Sequence, residues 1–175
     1  MDAKDLLFDA LERIRSLTQR TLDGLTLDDL HRQPSPDTNS IAWLVWHLTR
    51  VQDTSLSGVM GIEQAWVTQG WHAKFDLPPD PKMDGFGDTP EQVAAFRASS
   101  IQVLLDYHNH IAERSKAYVA KLTGTDLDRT LNEPQWQPLP TVGIRLLSVI
   151  SDNLQHAGQA AYLRGLFQGK GWLPY

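Results

Sequence analysis

Asp152-Asn153-Leu154-Gln155-His156-Ala157-Gly158-Gln159 is the stretch on which the fold turns. It lies inside the last strongly apolar segment, residues 141 to about 168. There Val142, Leu146, Val149, Ile150, Leu154, Ala157, Ala161 and Leu163 recur at helical spacing. Asp152 and His156 are four apart, so their side chains leave one face of that helix, one above the other. Gln159 continues the line. A carboxylate, an imidazole and an amide therefore sit on a largely apolar stripe, where an unpaired polar group is costly. Something must compensate them.

A second histidine offers a partner. His47 stands in Ile41-Ala42-Trp43-Leu44-Val45-Trp46-His47-Leu48, the most hydrophobic run in the chain, with no charge between Ile41 and His47. Two imidazoles and a carboxylate from two core helices can supply three protein ligands to a divalent metal and leave a position open. Each residue also has a plainer reading. Asp152 and His156 can pair with each other, and His47 can bond a backbone carbonyl.

Outward from these two segments the pattern predicts two more long helices. The first covers residues 3–21, with Leu6, Leu7, Ala10, Leu11, Ile14, Leu17 and Thr18 inward, and Asp23-Gly24 ends it. A short capped turn follows from Thr26, and His31 at its end is expected in solvent. Asn39 or Ser40 caps the helix that carries His47, and periodicity carries that helix to about Gly61. Thr89-Pro90-Glu91-Gln92 reads as a capping box with proline at the first helical position. It predicts one long third helix to about Gly124, roughly 50 Å at 1.5 Å per residue. On it His108 falls near the inward stripe, where it pairs with a neighbouring helix or joins the site.

Between the second and third helices, residues 63–88 break the pattern and hold Trp66, Trp71, Phe75 and three prolines. A connection this long in a compact domain is often functional. The expectation is a lid over the His47 pocket, walled by Trp66, Trp71 or Phe75, with His72 structural or exposed. Residues 132–140 form a second irregular connector. The 169–175 tail should fold its aromatics back on the bundle. The whole, residues 1–175, reads as a single all-α domain, a four-helix bundle. Arg50, beside the His47 face, is either a surface residue or a pocket cation.

Composition narrows the function. The chain is 175 residues long and 41% hydrophobic, enough to bury a core. Its net charge is −5, and no Lys/Arg cluster suggests a nucleic acid partner. Absence of cysteine excludes disulfides, thiolate ligation and cysteine catalysis. No apolar run is long enough for a membrane span, and no basic and apolar leader opens the chain, so the cytoplasm is the expected location.

Three segments together resemble the DinB-like superfamily, and within it the proteins similar to mycothiol-dependent maleylpyruvate isomerase. They are residues 36–53 around Trp43 and His47, the Trp71-His72-Ala73-Lys74-Phe75 loop, and residues 145–165 through Asp152 and His156. The resemblance implies an up-down-down-up bundle with a divalent metal between its second and fourth long helices. Its usual ligands fall on His47, Asp152 and His156, with Asp152 standing where the family commonly has His or Glu. The resemblance also implies a homodimer. For activity it implies a transferase or isomerase using a low-molecular-weight thiol such as mycothiol or bacillithiol. Zn²⁺ and Ni²⁺ both suit the donor set. Two other functions stay open: a non-catalytic bundle that binds metal or a small ligand, and a metal-dependent hydrolase acting on a small-molecule substrate.

Overall fold

Four long helices pack into a bundle in the computed structural model, which describes residues 2–173. They are α1 (Ala3–Leu22), α3 (Ile41–Met60), α7 (Ile101–Val119) and α9 (Val142–Gln168). Between them lie the short helices α2 (Leu27–His31), α4 (Ala65–Thr68), α5 (Trp71–Lys74), α6 (Pro90–Ala95) and α8 (Gly124–Asp128). Among the described residues there is no strand, only an isolated bridge between Thr130 and Thr141.

Local chemistry sets the ends. Ser40 Oγ accepts from Trp43 N to start α3, and Gly61, at φ +67°, closes it in a left-handed conformation that costs a glycine little. Thr141 caps α9. Packing then pairs α3 with α7 and α9, and α1 with the same two. Side-chain bonds give the directions. Thr49 meets His108 and Gln52 meets Ser115, so α3 and α7 run together. Gln19 meets Asn109 and Lys116 meets Glu12, so α1 opposes α7. Arg164 donates to the carbonyls of Arg20 and Thr21 at the end of α1, while Leu11 and Ile14 share a cluster with Leu146 and Ile150; α1 and α9 run together. The order is up-down-down-up, as the resemblance implies.

Three expectations are corrected. The third helix is broken. Phe96 leaves helical geometry (ψ 130°) to pack its ring 4.9 Å from Trp46, and Ser100 starts α7 afresh by accepting from Val103 N. The long strut is therefore about 28 Å, not 50 Å. His31 is partly buried rather than free in solvent, and bonds across the break: its Nε2 accepts from Ala98 N at 3.0 Å, and its Nδ1 donates to Leu27 O. On α1 full burial begins at Leu11; Leu7 and Ala10 are partly buried against the same cluster as predicted, but Leu6 is 57% exposed.

The 63–88 connector is no lid. Trp66, Trp71 and Phe75 are buried in the main core against Tyr107, each with its ring centroid 5.0–5.8 Å from that of Tyr107. A buried ion pair nails the connector down. Arg50, fully buried, donates to Met83 O, Pro81 O, Gln64 Oε1 and Tyr107 Oη, and its guanidinium lies 4.5 Å from the Trp66 ring. Asp53, 3.5 Å from Arg50, accepts from Ala65 N, Trp66 N, Tyr107 Oη and Arg114. Arg50 is thus neither a surface residue nor a pocket cation. His72 is structural, its Nδ1 donating to Leu77 O at 3.2 Å. In the tail, Trp172 lies under the Arg164 guanidinium; Tyr175 lies outside the described residues.

Candidate metal centre

The register of α9 against α3 is fixed one residue from the carboxylate. Asn153 Nδ2 donates to Gln52 Oε1 at 2.7 Å, and Gln52 Nε2 donates to Ser115 Oγ at 2.6 Å, a buried chain across three helices. With that register, His47 from α3 meets Asp152 and His156 from α9. The nitrogen and oxygen atoms these three can offer lie within 4.8 Å of one another. The two imidazoles are edge to face, 4.8 Å between centroids at 79°. His156 Nε2 is 3.5 Å from Asp152 Oδ1.

Both rings are oriented from behind. His47 stacks on Trp43 at 4.7 Å, and its Nδ1 donates to the carbonyl of Asp84 at 2.5 Å. A carbonyl only accepts, so the neutral ring carries its free lone pair on Nε2. His156 Nδ1 faces Gln159 Oε1 at 2.8 Å, so Nε2 is the ring nitrogen turned toward Asp152. The connector thus does reach this centre, but through Asp84 and Gly85 rather than the expected aromatics. Gly85, at φ +90°, passes so close that a Cβ there would stand 2.9 Å from His47 Nδ1 and 2.9 Å from the Trp43 ring. Arg50 holds the preceding Met83 carbonyl.

The electrostatics are those of a site short of a cation. Burial pushes the His47 pKa down, keeping it neutral, while the hydrogen bond to Asp152 raises that of His156. Asp152 Oδ2 is buried with no hydrogen-bond partner. A carboxylate and two imidazole lone pairs that face one another repel unless a proton or a metal ion lies among them. The donor set of two nitrogens and one oxygen is a known ligand set for Zn²⁺ and related ions, with a hydrogen bond behind each imidazole.

An open groove of about 710 Å³ lies one helical turn further along both helices. Leu44, Gly158, Gln159, Tyr162, Leu163 and Leu166 line it with residues 34 and 37–39. His108 stays outside the centre. It is fully buried beside Thr49, and burial lowers its pKa to about 4. The residues that sequence reasoning missed are Gln52, Asn153, Asp84 and Gly85. Gln52 and Asn153 carried a signal, as amides inside apolar helical segments. A backbone carbonyl and a glycine in a connector carried none.

A helical bundle with two histidines and an aspartate converging from antiparallel helices is the arrangement that the DinB-like resemblance implies. The chain belongs to the mycothiol-S-transferase family, which it matches over residues 6–169. It is also similar to a crystal structure described as a conserved protein from Enterococcus faecalis. The two share 30% identity and a TM-score of 0.88, over 97% of this chain and 99% of that one. No curated protein matches the chain.

Proposed function

We propose that the chain is a divalent-metal-dependent enzyme that transfers a low-molecular-weight thiol to an electrophilic small molecule, or isomerises one through it. His47, Asp152 and His156 are the three protein ligands of this reading. The observation that carries it is their convergence around a buried carboxylate oxygen that no protein group satisfies. Family membership supports the thiol. A Zn²⁺ or Ni²⁺ ion held by three protein ligands keeps an open position and lowers the pKa of a thiol there.

The chain's own residues do the rest. The Asp84 carbonyl fixes the His47 tautomer, Gln159 holds the His156 ring, and Trp43 keeps His47 from rotating. The groove beside Gln159 takes the body of the thiol. Asp37 is the one Asp, Glu, Lys, Arg or His among its lining residues. An anionic thiol meets that carboxylate uncompensated. Mycothiol, which carries no ionised carboxylate, therefore fits better than bacillithiol, which carries two. A homodimer at work in the cytoplasm, each copy a single domain over residues 1–175, belongs to the same reading.

The test uses untagged protein loaded with Zn²⁺ or Ni²⁺, mycothiol, and chlorodinitrobenzene as electrophile. The expected result is metal-dependent S-conjugate formation with chloride release, lost in His47→Ala. Metal binding without thiol turnover would put the non-catalytic binding protein in its place.

A further inference from the structure

The indole of Trp43 lies almost flat on the His47 imidazole, with 9° between the rings and 4.7 Å between centroids. The two residues are one turn apart on α3, so their side chains are neighbours. Nearness alone does not make them parallel, because the outer torsion of a tryptophan is soft. One polar contact sets it: Trp43 Nε1 donates to Asp88 Oδ2 at 2.9 Å. Other buried indoles of the chain lack such a bond. Trp46, Trp66 and Trp71 are buried with no partner at Nε1. Among the buried tryptophans of the described residues, the one with a bonded N–H is the one stacked on His47.

Asp88 also belongs to the turn that holds His47 from its other side. Its N–H donates to Gly85 O at 3.2 Å, and Asp84 Oδ1 accepts from Phe86 N at 2.9 Å. One end of this turn, the Asp84 carbonyl, bonds His47 Nδ1. The other end, the Asp88 carboxylate, bonds the indole that covers the same ring. Each contact removes a different freedom. The carbonyl fixes the tautomer and points Nδ1; the indole fixes the plane in which the ring lies. A carboxylate on the N–H also makes the indole face richer in electrons, and such a face attracts a ring drained by a bound cation.

We infer that Asp88 is a positioning residue for His47, acting through Trp43. Its carboxylate holds the indole plane, the indole holds the imidazole, and Nε2 stays directed at Asp152 and His156. The consequence for a bound ion rests on the three-ligand reading; the holding of the ring does not. Groups behind a ligating histidine change metal affinity by about 10–100-fold.

The experiment compares wild type with Asp88→Ala, Asp88→Asn, Trp43→Phe and the Trp43→Phe/Asp88→Ala double variant, each checked for helicity and melting temperature. The first readout is exchange of the His47 Nδ1 proton, followed by NMR in metal-free protein. Asp88→Ala should speed it by about tenfold. The second is Zn²⁺ affinity by calorimetry, which should fall by about tenfold or more in the same variant. Asp88→Asn keeps an acceptor for the indole and should stay within about threefold of wild type in both. In the Trp43→Phe background no N–H remains, so adding Asp88→Ala should change either readout by less than about twofold. Wild-type proton exchange in Asp88→Ala would overturn the inference. So would an Asp88→Asn as impaired as Asp88→Ala, which would make the effect one of charge at a distance, or an undiminished loss in the Trp43→Phe background. A wild type that takes up no Zn²⁺ would sink the metal reading alone, and the proton exchange would still decide whether Asp88 holds the ring.

Discussion

Asp53 and Asp152 are the same residue type on long helices of one bundle, and the protein treats them oppositely. Asp53 is buried and completed: two backbone amides, a tyrosine hydroxyl and two arginines surround it. Asp152 is half-buried and left open, one oxygen facing His156 and the other with no partner. A carboxylate saturated by protein groups builds structure. One left short of donors among imidazole lone pairs is, on the proposed reading, where a cation binds.

The sharpest way to break this contrast is to neutralise each carboxylate. Asp53→Ala strands the fully buried Arg50 and should cost about 3–5 kcal/mol in urea unfolding. Asp152→Ala in metal-free protein should cost less than about 1 kcal/mol, because it removes only the long, partly exposed contact with His156. Equal losses would erase the distinction.

Acid should act on the structural side first. His108 is buried neutral with its pKa lowered to about 4, against 6.5 when unfolded. The unfolded chain therefore binds the proton first, and stability falls as pH drops from 6.5 and levels off below about 4. The loss is about 3 kcal/mol. Urea titrations of wild type and His108→Leu at several pH values check it: the variant's curve should lack that component.

Gly85→Ala probes the seam between the two regions. A Cβ would press on His47 and Trp43 at a positive φ, costing about 1–3 kcal/mol. It should also weaken metal binding in calorimetry although no ligand is removed. Leu6→Gln, on an exposed position of α1, should change the melting curve by less than about 0.5 kcal/mol.

Much of this contrast is legible in the sequence. Periodicity and caps give the four long helices, because each buries one continuous apolar face. The His47, Asp152 and His156 grouping follows from polar residues placed on such faces. The break at Phe96 is not legible from periodicity, since α6 alone matches the helical pattern and only packing against Trp46 pulls Phe96 out of it. Ser99-Ser100 before Ile101 was the local trace of it. The lid failed for a related reason: connector length and aromatic content do not distinguish a wall over a cavity from a segment pinned by Arg50. The Asp84 carbonyl behind His47 is backbone chemistry, invisible to residue type.

The central claim is that the open carboxylate is completed by a metal ion. Its most direct test is elemental analysis of untagged wild type, His47→Ala and Asp152→Asn after equilibration with Zn²⁺ or Ni²⁺ and desalting. All three samples are checked for helicity. The account predicts about one ion per wild-type chain, at the open-sided three-ligand site. It predicts a sharp loss in both variants, which stay folded because the bundle's apolar faces carry its stability. A folded wild type that retains no metal, or variants that retain as much as wild type, would contradict it.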